Sequence, residues 1–480
     1  MDAQEIRRLR PMLARFLKRF DDCFARKDTR AHLSVYVGGQ LSDLERKSIE
    51  PIALAAEVPV RTLQEFISQH RWQEDLARDR LQDIVATEHA HPHSVGIIDE
   101  TSFVKQGKKT PGVQRQYLGT VGKKQNGIVT VHLAYAADDF HCLLDGELFL
   151  PESWAADPAR CQEAKIPAGM TYRPKTEIAL ELYERARANG IHFAWLTFDE
   201  WYGGKPAFLQ ALDQRPQLFV GEVPRTLMGW IDPPRVTRRP LRRGRGRGRK
   251  VPRIVASSRP SQSVEHLFWW HPALKEQEWQ RWRVKDGEKG PMIWEVKHVP
   301  FYLQGPDGLP GPRWHLVIAR NVLDPTEMKF FVSNALPDTS VGTILLAAFS
   351  RWRVERCFEH GKGEIGLDHY EGRRYPGLKR HLILSAISYL FLAKTNQRLR
   401  EKKSELTVCQ VHTAVSALIR SWWMSGRVST RFLERTSKKI LRAQRRAACA
   451  RRCHTKRTRR VLRSMGIKLT ETPVCKWNSS

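Results

Sequence analysis

A cation, a carboxylate and a second cation stand at helical spacing in the stretch Arg-Trp-Arg-Val-Glu-Arg-Cys-Phe-Glu-His-Gly-Lys. Glu355 follows Arg351 by four residues, and Lys362 follows Glu355 by seven. Both steps return to nearly the same side of an α-helix, so one face would carry all three side chains. Asp338 or Ser340 would cap this helix. The carboxylate would stay ionised and hold a metal ion, and the flanking cations would bind phosphates.

Two further carboxylates follow apolar runs of the chain. Asp99 comes after Val-Gly-Ile-Ile, and Asp199 comes after Phe-Ala-Trp-Leu-Thr-Phe. Both runs predict buried strands that end at an acid. Two strand ends and a facing helix can bring three carboxylates together, and divalent metal then neutralises their repulsion. Two Mg²⁺ ions about 4 Å apart are the usual apparatus for in-line displacement at a phosphodiester.

The order Asp99, Asp199, Glu355 resembles the DDE triad of RNase H-like transposases. The helix is similar to the signature Tyr–(2)–Arg–(3)–Glu–(6)–Lys of bacterial cut-and-paste insertion sequences, with Ala348 in the Tyr position. The resemblance covers residues 33–394 and is to insertion-sequence family 701, within the wider family 4 group. Three flanking blocks strengthen it: Asp-Glu-Thr-Ser-Phe-Val-Lys-Gln-Gly from Asp99, Gly-Val-Gln-Arg-Gln-Tyr-Leu-Gly from Gly112 and Asp-Glu-Trp-Tyr-Gly from Asp199.

The resemblance implies a DNA transposase that binds transposon ends, hydrolyses them and joins the freed 3′-hydroxyl to target DNA. Asp99, Asp199 and Glu355 would be catalytic and would hold two Mg²⁺ ions, with Mn²⁺ as a substitute. Arg351 and Lys362 would hold phosphates near the break. The expected partners are double-stranded DNA, as terminal inverted repeats and as target, and a second copy of the chain in a homodimer on DNA.

Two other functions compete with this reading. One is a non-catalytic DNA-binding regulator derived from a transposase, but the intact triad argues against it. The other is an RNase H-like structure-specific nuclease without strand transfer. The helix-turn-helix and the inserted subdomain argue against it. Glu359, one helical turn after Glu355, is an alternative third carboxylate.

The charge of the chain points to a polyanionic partner. Its 480 residues carry 81 Lys and Arg against 51 Asp and Glu, a net charge of +30. Nucleic acid is the default partner of such a chain, and a basic membrane-surface protein is the alternative. The charged N-terminus lacks the apolar segment of a signal peptide, and the longest apolar stretch, residues 382–393, is too short to span a bilayer. We therefore expect a cytoplasmic bacterial protein associated with the nucleoid and not with a membrane.

The pattern of elements, combined with the resemblance, predicts an α/β fold. Its RNase H-like catalytic core would be interrupted by a β-rich insertion, between a helical N-terminal domain and a basic helical C-terminal region. An aromatic side chain of the insertion would stack on a flipped base, with core packing as the alternative for any single Trp. The predicted boundaries are 1–90 for the N-terminal domain, 91–224 and 336–395 for the core, 225–335 for the basic loop and insertion, and 396–480 for the C-terminal region.

Several cations outside the catalytic helix are predicted to contact DNA. Residues 48–70 resemble a helix-turn-helix whose second helix carries Arg61, although a helical hairpin packed for structure would look the same. The Arg- and Gly-rich loop at 235–253 can bury nothing and would bind phosphates, or else remain a solvated loop. The full set of predicted contacts beyond Arg351 and Lys362 is Lys105, Arg61, Arg242, Arg243, Arg245, Arg247, Lys250 and Arg380.

Overall fold

The computed structural model describes residues 1–238, 251–401, 405–425 and 429–477. The predicted loop contacts Arg242, Arg243, Arg245, Arg247 and Lys250 lie outside the described residues. The chain divides into two compact units. Unit 1 comprises Met1–His192 and Trp352–Ala450, and unit 2 comprises Phe193–Arg351 and Arg451–Ser480.

Helices occupy both ends of the chain and alternate with strands in between. Short 3₁₀ turns lie at Asp21–Cys23 and Phe349–Arg351, and a π-helical turn lies at Gly361–Ile365. The α-helices are α1 (Ala3–Lys18), α2 (Lys27–Leu41), α3 (Ile49–Ala55), α4 (Val60–Ser68), α5 (Glu74–Glu88), α6 (Glu152–Ala155), α7 (Pro158–Glu163), α8 (Lys175–Ala188), α9 (Glu200–Gly203), α10 (Pro206–Asp213), α11 (Val264–Trp270), α12 (Pro272–Lys275), α13 (Val341–Ala348), α14 (Trp352–His360), α15 (Tyr375–Arg400), α16 (Val408–Ser425) and α17 (Thr430–Ser464).

The strands begin where the sequence predicts the first buried apolar run. They are β1 (Val95–Val104), β2 (Gln114–Leu118), β3 (Lys123–Ala137), β4 (Phe140–Leu148), β5 (Trp195–Phe198), β6 (Phe219–Glu222), β7 (Met228–Trp230), β8 (Val236–Thr237), β9 (Arg253–Ile254), β10 (Gln262–Ser263), β11 (Gln280–Gly287), β12 (Gly290–Gln304), β13 (Pro310–Asn321) and β14 (Met328–Ser333). The mixed α/β class predicted from the sequence is therefore correct.

The strands of unit 1 form an antiparallel set around the long strand β3. It pairs with β1 on one side, in a register that places Val95 opposite Ala136 and Val104 opposite Gly127. On its other side β3 pairs with β2 and then with β4. Nearly every β3 residue from Gly127 onward is buried, which explains the continuous apolar character of this segment in the sequence.

Helix α15 is the core helix of unit 1, and the predicted apolar helix at 382–393 lies inside it. Its aromatic and polar side chains meet the N-terminal helices. The Phe16 and Phe391 rings lie 5.5 Å apart, and the Tyr36 hydroxyl lies 2.8 Å from Nδ1 of His381. Gln40 Nε2 donates to the Ser385 hydroxyl at 2.7 Å. These contacts link segments about 350 residues apart, so the N-terminal helices and α15 form one core.

Helices α3 and α4 form the hairpin that the sequence predicts between residues 48 and 70. The turn contains Glu57 at φ +54°, and α4 begins directly after Pro59. One face of α4 is buried, while Arg61 is exposed and pairs with Glu65 at 2.9 Å. This exposure leaves the Arg61 side chain accessible to a partner, and its contact with DNA stays a prediction.

The strands of unit 2 are joined in the order β10, β7, β12, β13, β14, β6, β5, with β11 paired to β12. Strands β5 and β6 are parallel, and the other described pairings of this unit are antiparallel. Trp294 and Trp314 are buried in it, whereas Trp269 and Trp270 on α11 are 56% and 67% exposed. In the described parts of both units, every helix is too short or too polar to cross a membrane.

Candidate active site

Asp99 lies in the middle of β1 and not at its end, so the prediction of a strand that stops at this acid is wrong. The strand runs five residues further because β3 continues to supply hydrogen-bonding partners as far as Gly127. Asp99 is only 8% exposed, and its Oδ1 accepts a hydrogen bond from the backbone N–H of Glu100 at 2.7 Å. The carboxylate therefore projects from a fixed point in a sheet.

His132 of β3 stands directly opposite Asp99, so the two side chains share one face of the sheet. Gly146 of β4 pairs with His132, and a Cβ at that glycine would lie 2.5 Å from the imidazole. The glycine thus makes room for the ring. Burial, reinforced by the charge of Lys362, lowers the pKa of His132 to about 3, so this imidazole is neutral.

Helix α14 covers the same face of the sheet and carries Glu355. The Phe358 ring meets the His132 ring edge-on at 5.3 Å between centroids. Glu355 precedes Phe358 by three residues and so lies on the same side of α14. Within unit 1, the contact between His132 and Phe358 therefore places α14, the helix that carries the exposed Glu355, against the sheet face that carries Asp99.

The predicted single helix from Arg351 to Lys362 is interrupted at both ends. Arg351 ends a 3₁₀ turn, Glu355 belongs to α14, and Lys362 lies in the π-helical turn. The face drawn with 3.6 residues per turn is therefore wrong, because glycines 361 and 363 weaken the α-helix where the π-turn begins. Ser340 does cap a helix, but that helix is α13 and not the one that carries Glu355.

Lys362 nevertheless reaches the strand that carries Asp99. Its ammonium donates to the Ser102 carbonyl at 3.2 Å and to the Thr120 hydroxyl at 3.0 Å. It also lies 5.6 Å from the centre of the Phe103 ring. Burial lowers the pKa of Lys362, and the nearby Asp368 opposes that shift. The ammonium of Lys362 is thus partly buried and held against the strand that carries Asp99, where it is suited to bind an anion.

Asp199 lies in unit 2, directly after β5, as the sequence predicts. Its Oδ1 accepts from the backbone N–H groups of Trp201 at 3.1 Å and Tyr202 at 3.3 Å, so it caps the short helix α9. Glu200 is therefore the first residue of a short helix and does not continue the strand. A Cβ on Gly203 would lie 1.9 Å from the Glu222 carbonyl oxygen, so only glycine permits this turn to pack on β6.

The burial of Asp199 and its neighbouring charges favour a cation next to its carboxylate. Burial raises the pKa of Asp199, and the charge of Glu222 adds to the rise. The Tyr202 N–H and the charge of Arg351 act in the opposite direction. Arg351 therefore helps to keep Asp199 ionised, which is a role within unit 2 that its sequence position did not indicate.

The three carboxylates fit a hard divalent cation by their chemistry. Mg²⁺ and Mn²⁺ prefer carboxylate oxygens, and a cation would offset the burial that disfavours the charged form of Asp199. Within the described parts of the chain, no group of three or more His, Cys, Asp or Glu side chains is arranged to hold a metal ion. The metal assignment therefore remains a proposal.

Two of the cations predicted to contact DNA are buried in unit 1 and serve the fold. Arg380 is 7% exposed and donates to Glu74 Oε2 at 3.1 Å. Lys105 is 9% exposed and donates to the backbone carbonyls of Asp368 at 3.0 Å and Tyr370 at 2.6 Å. The predicted DNA contacts of Arg380 and Lys105 conflict with this burial, because neither side chain presents its charge to solvent. The proposed DNA interface therefore does not include these two residues.

Sequence reasoning missed two residues that support the site. Lys47, from the loop before α3, is 3% exposed and donates to the Glu364 carbonyl at 2.7 Å, which anchors the π-turn from the N-terminal side. His132 is the second, and its signal was a lone polar ring in a continuous apolar strand. Lys47 gave no local signal, since its acceptor lies 317 residues away.

Comparison with known proteins identifies the class to which this geometry belongs. The family model of the DDE superfamily endonucleases matches residues 19–291, more than half of the chain. The match includes Asp99 and Asp199 and ends before Glu355. The chain belongs to the DDE superfamily endonuclease family, and the family membership predicted from the motifs is confirmed.

A named relative lies among insertion-sequence proteins. The chain is 34% identical over 182 residues to the "Probable transposase for insertion sequence element IS701" of Microchaete diplosiphon. The aligned part is 37% of this chain and 44% of that protein, so the chain spans less than half the length of the relative that it matches. This similarity agrees with the resemblance drawn from the flanking blocks.

Proposed function

We propose that this protein is a DNA transposase that cleaves the ends of its element by metal-dependent phosphodiester hydrolysis and joins the 3′-hydroxyl ends to target DNA. The observation that carries the proposal is the packing of α14, which bears Glu355, on the sheet face that bears Asp99 in unit 1, within a chain of the DDE endonuclease family. Asp199, at the end of β5 in unit 2, is the third proposed carboxylate. The fold proposed for these parts is an RNase H-like core with an inserted β-rich segment.

The proposed ligands would hold two Mg²⁺ ions, with Mn²⁺ as a substitute. Such ions, when bound, activate the attacking oxygen and stabilise the departing one. The protein supplies fixed carboxylates for them, since Asp99 is held in a sheet and Asp199 is held by two backbone N–H groups. Little reorganisation is then needed when the substrate arrives.

The cations near the carboxylates would orient the DNA backbone. Lys362 is fixed on β1 by Ser102 and Thr120, and its ammonium would contact a phosphate oxygen next to the scissile bond. Arg351 acts on Asp199 and has the planar guanidinium that binds phosphate bidentately. His132 is neutral and buried, so it would support the Asp99 face without transferring a proton.

The proposed partners follow from the reaction. The protein would bind double-stranded DNA as terminal inverted repeats and as target, and it would act as a homodimer with one copy at each end. The net charge of +30 supports a polyanionic partner, and the exposed Arg61 in the α3–α4 hairpin supports end recognition there. In a bacterial cell we propose that it is associated with the nucleoid.

Charge-removing variants of the triad test the proposal. Asp99→Asn, Asp199→Asn and Glu355→Gln each keep the side-chain shape and remove one ligand charge. Because metal-ion catalysis supplies several kcal/mol, each variant should lose roughly a hundredfold or more in single-turnover cleavage of an end substrate with Mg²⁺. End binding measured without metal should change little.

Neighbouring carboxylates provide matched controls. Glu359→Gln removes an exposed charge one turn further along α14, where Glu359 pairs with Arg356 at 2.7 Å. Glu200→Gln does the same beside Asp199. Both controls should cleave at close to the wild-type rate. Loss of cleavage in Glu359→Gln together with normal cleavage in Glu355→Gln would refute the choice of the third carboxylate.

A further inference from the structure

Helix α17 combines, after its first turn, a high density of positive charge with a complete lack of acids. Residues 435–463 contain thirteen Lys and Arg and neither Asp nor Glu. Arg, Lys and Ala are strong helix formers, which explains why so basic a segment remains helical. Residues from Arg451 onward belong to unit 2.

One side of this helix is fixed to unit 2. Thr458 Oγ1 donates to the Lys289 carbonyl at 2.7 Å, and Leu462 is buried with Ile293 and Val322. Gly290, at φ +108°, lies where a Cβ would come within 3.2 Å of the helix backbone at Thr455. The glycine therefore lets the helix lie close to the turn between β11 and β12.

The neighbouring side carries a row of cations. At about 100° per residue, five cations fall within about 100° of arc, centred about 120° from the mean direction of Thr455, Thr458 and Leu462. We call these five the basic stripe: Arg452, Lys456, Arg459, Arg460 and Arg463. The stripe extends over about 16 Å of helix, at 1.5 Å per residue, and its members line one surface depression together with Arg451 and Thr455.

Four members of the stripe keep their charges available. Lys456, Arg459, Arg460 and Arg463 form no ion pair with any residue that the structure describes. Elsewhere arginines are often paired, as Arg320 is with Glu295 at 2.6 Å. Four cations on about two helical turns repel one another, so the surface favours a ligand with several negative charges.

The shape of the stripe identifies the kind of ligand. The stripe is long and narrow, as a nucleic-acid backbone is. Most of its members are arginines, which bind phosphate in a bidentate manner. A membrane-surface helix would need an apolar face turned outward, whereas the apolar face here packs on β12. From the charge, spacing and anchoring, we infer that the basic stripe binds the phosphate backbone of duplex DNA independently of base sequence. This inference rests on the proposed function for its choice of DNA over RNA.

Salt dependence of binding tests the inference. The stripe variant replaces Lys456, Arg459, Arg460 and Arg463 with Gln, which keeps helix propensity and leaves Thr458 and Leu462 in place. Binding of a duplex of arbitrary sequence is measured by fluorescence anisotropy between 50 and 300 mM KCl, with EDTA present to prevent cleavage. Since each lost phosphate contact lowers the slope of log K against log salt by about 0.9, the slope should fall by about 3 to 4.

A charge-matched variant separates the stripe from net charge. Arg8, Lys18, Arg26 and Lys27 are exposed cations of the N-terminal helices, and their replacement by Gln removes the same four charges. This control should keep most of the wild-type slope. Equal slopes for the two variants, or an unchanged slope in the stripe variant, would overturn the inference, as would a larger slope change on duplex RNA than on duplex DNA.

A separate cleavage assay distinguishes this inference from the proposed function. At saturating end DNA with Mg²⁺, the stripe variant should cleave at the wild-type single-turnover rate, because the stripe contains none of the three proposed metal ligands. If the wild-type protein cleaves no DNA while the slope still falls in the stripe variant, the proposed function fails and the inference stands. If cleavage is normal and the slope is unchanged, only the inference fails.

Discussion

Replacement of Lys362 by Ala tests the proposed link between the π-turn and the cleavage step. Lys362 donates to Ser102 at 3.2 Å and Thr120 at 3.0 Å, and its partly buried ammonium is proposed to bind a phosphate at the scissile end. A charge-assisted hydrogen bond contributes about 1.5–3 kcal/mol. If the contact acts mainly in the transition state, its loss lowers the rate roughly tenfold to a hundredfold.

The measurement is single-turnover cleavage of an end substrate with Mg²⁺, together with end binding without metal. The rate should fall by the stated factor, and the dissociation constant should change much less. Activity should be reduced and not abolished, because Lys362→Ala leaves the three proposed metal ligands in place. Thr120→Val removes one of the two acceptors that orient the ammonium and should give a smaller loss in the same direction.

The control must come from the adjoining helix α14 and bear the same charge. Arg353 is unsuitable, because burial lowers the pKa of its guanidinium and its loss would disturb packing. Arg356 pairs with Glu359 at 2.7 Å on the outer side of α14, and Arg356→Ala should cleave at nearly the wild-type rate. Equal rates for Lys362→Ala and Arg356→Ala would refute the reasoning, because the ammonium on β1 would then have no part in cleavage.

Two further changes have defined outcomes. Deletion of residues 242–250, which lie outside the described residues, should weaken DNA binding and lower the salt slope by about 0.9 per lost phosphate contact, and an unchanged slope in filter binding would show that the loop is not engaged. Burial lowers the pKa of Lys105 in the folded protein to about 8, and the charges of Asp368, Arg46 and Glu371 also act on it. In the unfolded chain the pKa of a lysine is about 10.4. Between pH 8 and about 10.4 the unfolded chain therefore binds more protons than the folded protein, and the folded protein gains stability as the pH rises. Urea unfolding should show a gain of about 1–2 kcal/mol between pH 7.5 and 9.5 that Lys105→Met lacks, and an equal pH dependence of the two proteins would contradict the assignment.

Local patterns predicted the elements of the site better than its side-chain contacts. Asp199 was placed correctly at the end of its strand, because the apolar run stops where the pairing of β5 with β6 stops. Asp99 was placed at a strand end and lies mid-strand, since the length of β1 is set by its partner β3 and not by its own sequence. Hydrophobic periodicity reports burial but not the length of the pairing strand.

The errors around Glu355 and among the cations have a different origin. A fixed period of 3.6 cannot anticipate a π-turn, although Gly361 and Gly363 signalled a weak helix. The sequence predicts Arg380 and Lys105 as DNA contacts because a cation is normally exposed. Their actual acceptors, on Glu74 and at 368–370, lie hundreds of residues away in the chain, and no local pattern connects such pairs.

The N-terminal helices of unit 1 and their core helix α15 are synthesised far apart in time. The ribosome releases α1–α5 and β1–β4 first, and α14 and α15 follow only after more than 150 residues of unit 2. Until residue 400 has emerged, the N-terminal aromatic side chains lack their partners on α15, and the Asp99 face has no helix across it. An unfinished chain therefore lacks the Glu355 side of its proposed centre, so the proposed DNA cleavage would begin only after translation has passed α15.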